Sequence, residues 1–196
     1  MTFIALTRHP QSVSRATREI NARVQRIGEW SMAFTYVLNG DLDQLKIPST
    51  GLSRWGDRLW EHTCFEAFVG MEANPAYYEF NFSPSGERAA YAFRSYRDGR
   101  ALESAELTPE ITVSCKADHL ELNAVIDFSR LSGLQPKSRL RLGLSAVIEE
   151  QDGKLSFWAL RHPEGNPDFH HPIAFALELE LPDVDRAPDP ADIFKL

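Results

Sequence analysis

Apolar side chains recur at every second position through most of this chain, which confines it to strands with one face turned inward. Trp30, Met32, Phe34, Tyr36 and Leu38 alternate, and Asn39-Gly40-Asp41 then supplies turn chemistry. Phe65, Ala67 and Val69 share one face, while Cys64, Glu66 and Phe68 share the other. Tyr78, Phe80 and Phe82 run to a Pro84-Ser85-Gly86 turn and return through Ala89, Tyr91 and Phe93, which reads as a hairpin. Ile111, Val113 and Cys115 with Leu120 to Phe128, turning at Ala117-Asp118, make a second. Leu140 to Ile148, Gln151-Asp152-Gly153 and Leu155 to Ala159 make a third. Residues 13–27 fit a helical stripe or a strand, and the strand is favoured. A last strand is expected over Ile173 to Leu181.

About ten such runs separated by turns predict an all-β fold, an antiparallel β-sandwich of jelly-roll or immunoglobulin-like kind. One domain is expected over residues 1–182, followed by a polar tail at 183–196. The chain has 196 residues with 43% hydrophobic and 25% charged side chains, enough to bury one core. Its longest apolar runs, Ala89 to Phe93 and Ile173 to Leu177, are far below the roughly 20 residues of a membrane-spanning helix. The start lacks the pattern of a secretory signal, so a cytoplasmic location is expected. Two cysteines, Cys64 and Cys115, do not make a disulfide framework. The net charge is −7 and its acidity is concentrated after residue 100, which argues against a phosphate backbone as ligand.

The hairpin registers point to a site. A four-residue turn after Glu149 pairs Ile148 with Leu155, Ala146 with Phe157 and Leu144 with Ala159. Trp158 then faces Ser145 on the opposite, less apolar side. Pairing Ser83 with Arg88 likewise sets Phe82 beside Ala89, Phe80 beside Tyr91 and Tyr78 beside Phe93, and leaves Glu79, Asn81 and Arg94 on the reverse face with Ala90 and Ala92. An aromatic plate beside small and polar residues suits a flat ligand. The alternative is that Trp158 covers a rim and that Glu79 pairs with Arg94 on a solvated surface.

Three segments, LWEHTCFEAFVG (Leu59 to Gly70), YYEFNFSPSG (Tyr77 to Gly86) and LGLSAVIEEQDGKLSFWALRHPEGNPDFHH (Leu142 to His171), together resemble the DOMON-like bacterial proteins related to carbohydrate-binding module family nine. The resemblance implies a β-sandwich that binds sugars or haem and favours binding over catalysis. In the sugar binders two aromatic rings enclose a terminal sugar, and charged and amide groups hold its hydroxyls. By that resemblance Trp60 is the candidate for the first ring and Trp158 for the second. Glu66, Glu79, Asn81, Arg94 and His162 are candidate polar contacts to a small ligand, most simply a saccharide, with no cofactor and no metal.

Other chemistry is open to weighing. His162, Asp168, His170 and His171, with His62, carry metal-ligand types, but without a recognised spacing, and adjacent His170 and His171 point apart if extended. Asp168 fits a turn-closing role. Haem would need an axial ligand from Met32, Met71 or a histidine, and Met32 sits on a core face. A hydrolase is the runner-up function, through a His/Asp metal site or a Glu66 and Glu79 carboxyl pair acting on a saccharide-like substrate. A third reading is a protein-interaction module using the same aromatic face. Cys64 reads as a small buried side chain.

Overall fold

A computed structural model describes residues 2–51, 53–72, 74–102, 109–129, 131 and 139–179. It is an antiparallel β-sandwich. One sheet runs in the order β1 (Ile4–Ala5), β3 (Thr17–Arg26), β4 (Ser31–Gly40), β11 (His119–Asp127) and β10 (Glu110–Lys116). The other runs β2 (Thr7–Arg8), β13 (Leu155–Ala159), β12 (Leu140–Glu149), β6 (Cys64–Met71), β7 (Tyr77–Phe82), β8 (Glu87–Ser95) and β5 (Arg54–Trp55). In this second sheet β9 (Asp98–Ala101) adds to β8 and β14 (Leu177–Leu179) adds to β12. Among the described residues only the short β5 to β8 pairing is parallel. The expected tail at 183–196 lies outside the described residues.

Alternation places the core between the sheets. Ile20, Ala22 and Val24 of β3 and Met32, Phe34, Tyr36 and Leu38 of β4 face Phe65, Ala67 and Val69 of β6 and Phe80 and Phe82 of β7, all buried. Burial of this much apolar surface is the main force holding the layers together. The Tyr36 hydroxyl crosses the core and donates to the Glu66 carbonyl at 2.7 Å, which satisfies a buried donor and ties the first sheet to β6. The 13–27 stretch resolves as strand β3, because its inward residues alternate against β4.

Two expected registers are corrected by one residue each. Glu149 pairs with Leu155, Val147 with Phe157 and Ala146 with Trp158. In the other hairpin Phe82 pairs with Arg88, Phe80 with Ala90 and Glu79 with Tyr91. Both turns have three residues rather than four. Each is closed by a bond across the strand ends (Glu150 N–H to Lys154, Ser83 N–H to Glu87) and ends on a glycine at positive φ, Gly153 at +83° and Gly86 at +89°. Such a loop adds a left-handed residue that glycine adopts without a Cβ clash. The hairpin turns at Ala117-Asp118 as expected, and sets Cys115 opposite Leu120.

The last expected strand is also shorter. Pro172–Ala174 forms a 3₁₀ turn, Ile173 is exposed, and only Leu177–Leu179 pairs in the sheet. Pro172, which lacks an N–H, starts the turn, and the His171 imidazole accepts from the Ile173 N–H at 3.3 Å.

Candidate functional site

Both faces of the second sheet are covered. Its outer face reads in rows across β12, β6, β7 and β8: Ser145, Glu66, Asn81 and Ala89 in one, then Gly143, Phe68, Glu79 and Tyr91, then Arg141, Gly70, Tyr77 and Phe93. A one-residue register change moves every side chain to the other face. It carries Tyr91, Phe93 and Phe157 outward, and it carries Trp158 into the core.

The segment from Leu160 to Leu177 folds back over these rows. Asp168 anchors it, accepting from the Tyr96 hydroxyl at 2.6 Å, from Arg97 Nη2 at 2.7 Å and from the His170 N–H at 3.1 Å. Arg97 and the Tyr96 hydroxyl hold the Asp168 carboxyl below its usual range against the opposing effect of burial. Gly143 lets the segment approach closely, since a Cβ there would lie 3.3 Å from both the Ala174 carbonyl oxygen and the Phe68 Cβ. Phe175 then packs edge-on against Phe68 and Tyr77.

Beneath this segment lies a cavity of about 340 Å³, within the usual range of small-molecule sites. Trp60, Tyr91, Phe93, Phe157 and Phe169 supply its aromatic lining. Trp60 projects from a 3₁₀ turn at Leu59–Glu61, is 38% exposed and meets Tyr91 edge-on at 5.6 Å. Glu66, Glu79, Arg97 and His170 are the acidic and basic side chains in the lining, beside the Tyr91 phenol.

Glu79, His170 and Arg97 are linked through Tyr77 and Asp168, and Glu66 stands beside them on Ser145. Glu66 accepts from the Ser145 hydroxyl at 3.3 Å, and Glu79 accepts from Asn81 Nδ2 at 2.9 Å. Burial, reinforced by the neighbouring Glu79, pushes the Glu66 carboxyl well above the carboxylate range. Burial raises Glu79 to about 7, opposed by the Asn81 hydrogen bond and the Arg97 charge. The Tyr77 hydroxyl accepts from the Arg97 N–H at 3.1 Å and shares a hydrogen bond with His170 Nδ1 at 2.9 Å. His170 Nε2 lies 3.6 Å from Glu79 Oε2. Burial and then the Arg97 charge depress His170 to about 4, so the ring is neutral near pH 7.

The sequence-predicted residues divide. Trp60, Glu66 and Glu79 line the cavity, and Asn81, fully buried, hydrogen-bonds Glu79. Trp158 is 5% exposed and belongs to the core, its indole N–H on the Ser156 hydroxyl at 3.0 Å, so it is no second wall of this cavity. Arg94 is exposed, pairs with Asp98 at 3.0 Å and borders a separate cavity. His162 donates to the Thr7 carbonyl at 2.8 Å and packs edge-on against His9, away from the carboxyl pair. Arg97 and Phe169 have no role in the sequence reading, which sets Tyr91, Phe93 and Phe157 on the inward face and weighs His170 only as a metal ligand. Gly86 and Gly153, each third in its turn, were the signals that place three of these rings. Among the described residues no three His, Cys, Asp or Glu side chains gather as a metal ion would require.

No family profile matches the chain, and no curated protein matches it. Solved structures do share its fold. A candidate carbohydrate-binding protein from Bacteroides uniformis superposes with a TM-score of 0.65 at 17% identity, over 89% of this chain and 84% of that one. A family 9 carbohydrate-binding module from Caldicellulosiruptor kristjanssonii, in complex with glucose, superposes with a TM-score of 0.55 at 9% identity, over 91% and 84% of the two chains. The chain is thus a β-sandwich with the fold of these modules. No helix among the described residues is long and apolar enough to cross a membrane.

Proposed function

We propose that this protein is a non-catalytic module that binds a small saccharide in the cavity on the outer face of its second sheet. The observation that carries the reading is the joint lining of one cavity of about 340 Å³ by aromatic rings and by two buried carboxyl groups. Sugars have apolar C–H faces that lie on aromatic rings and hydroxyls that need paired donors and acceptors. Trp60, exposed at the mouth, supplies the stacking platform. Glu66 and Glu79, with the Asn81 amide behind them, supply the hydroxyl partners. The glucose-bound module from Caldicellulosiruptor kristjanssonii supports the ligand class through the shared fold.

Calorimetry against a panel of monosaccharides and short oligosaccharides tests the reading. Micromolar to millimolar binding that falls at least about tenfold in Trp60→Ala, with the fold intact, is expected. Binding unchanged in that variant refutes the stacking role, and cleavage of the bound glycoside would replace the module by the hydrolase alternative.

A further inference from the structure

The cavity floor is richer in acceptors than a neutral sugar needs. Two carboxyl groups, Glu66 and Glu79, are buried side by side on adjacent strands, and no Lys or Arg among the described residues comes within ion-pair distance of either. The cation nearest in the lining, Arg97, is held by Asp168 at 2.7 Å. A second, independent feature points the same way. Asn81 is fully buried on this face and spends its NH₂ on Glu79 Oε1, while its carbonyl oxygen Oδ1 has no hydrogen-bond partner. A buried acceptor without a donor is costly unless something supplies one.

An ammonium group carries three donors, no acceptor and a positive charge, the complement of two carboxylates and an amide oxygen. Aromatic faces such as those of Trp60, Tyr91 and Phe93 attract a cation further. A hydroxyl satisfies an acceptor but leaves the buried carboxyls in their protonated form, whereas an ammonium favours their ionised form. Building on the saccharide reading, we infer that the ligand is an amino sugar whose protonated amine sits between Glu66 and Glu79, backed by the Asn81 amide, with its ring against Trp60. Seating the cation shifts the carboxyl pair toward ionisation, so there is net proton release to solvent on binding.

The test uses glucosamine, galactosamine and mannosamine, each beside its parent hexose and its N-acetyl derivative, with cyclohexylamine as an amine that is not a sugar. At about pH 7, at least one amino sugar binds roughly tenfold or more tightly than its two neutral counterparts. Titration in buffers of different ionisation enthalpy shows net proton release from the wild-type protein. Glu79→Gln, which retains an acceptor for Asn81, lowers the amino-to-parent affinity ratio toward one. Parent hexoses that bind as tightly as the amino sugars, or binding without proton release, overturn the amine inference and leave the saccharide reading standing. Cyclohexylamine binding as tightly as an amino sugar upholds the amine site and overturns the saccharide reading. Silence from every probe overturns both.

Discussion

The unliganded protein hides two large and opposing pH effects in one cavity, and replacing Glu79 by Gln separates them. Glu79 rises from 4.5 to about 7 on folding through burial, which corresponds to about 3 kcal/mol at 1.36 kcal/mol per pKa unit. Its folded pKa is the higher one, so its contribution is complete below pH 4.5 and is lost as pH rises through about 7. His170 falls from 6.5 to about 4, again through burial, with Arg97 adding to the shift, which corresponds to a further effect of about 3 kcal/mol. Its folded pKa is the lower one, so its contribution is complete above pH 6.5 and is lost as pH falls through about 4. The two therefore cancel over most of the interval between 4.5 and 6.5. Asp168 and Arg97 persist in both proteins and drop out of the difference, while Glu66, which burial and then Glu79 push up, is partly relieved in the variant and moves the difference the same way. Urea unfolding of wild type and Glu79→Gln at constant ionic strength from about pH 4 to 8 is the assay. The stability difference should move in favour of the variant by about 3 kcal/mol as pH rises through this range. A difference that does not change with pH would show that the Glu79 carboxyl is solvated in the folded protein.

Further outcomes follow from the same geometry. Trp158→Ala should lower stability by about 3–5 kcal/mol, since it empties a core position, while the folded fraction keeps its ligand affinity; denaturant midpoints and calorimetry check both halves. Tyr36→Phe removes the donor that crosses the core to the Glu66 carbonyl, with an expected loss of about 1–3 kcal/mol in the same unfolding assay. Gly143→Ala crowds the Ala174 carbonyl and Phe68 and should cost about 1–3 kcal/mol, with faster hydrogen exchange confined to residues 160–176 if the segment lifts. Glu149, held below its usual range by Lys46 and His62 against the opposing effect of its partial burial, contributes stability above the carboxylate range that is lost on acidification. Glu149→Gln should therefore flatten the acid limb of the unfolding curve.

Strand positions were legible wherever burial is one-sided, because the period of two is then visible in every run: β4 shows Met32 to Leu38, and β12 shows Leu140 to Ile148. The hairpin registers were less so. Counting turn residues without the left-handed conformation of Gly86 and Gly153 gives four where there are three, and the error exchanges the two faces. Trp158 thereby looked like a wall of the site and Phe157 like core, when the reverse holds. Glu66, Glu79 and Asn81 were found because alternation alone sets them on the less apolar face, and the resemblance to sugar binders gives polar groups there a role. The other half of the site, Asp168 and His170 on one segment with Tyr96 and Arg97 on the turn between β8 and β9, is joined across about 70 positions of chain. No local pattern announces such a contact. The 3₁₀ turn at Pro172–Ala174 was misread for a related reason: Phe175 packs against Phe68 and Tyr77 on the outer face, so its apolar character does not report a strand.

The central claim is that the ligand occupies the cavity between the outer face of the second sheet and the segment from Leu160 to Leu177. A crystal structure of the protein soaked with the tightest saccharide of the panel tests it directly. A sugar ring against Trp60, with a polar substituent within hydrogen-bond distance of Glu79, is expected. A sugar bound elsewhere, with this cavity holding only water, would contradict it.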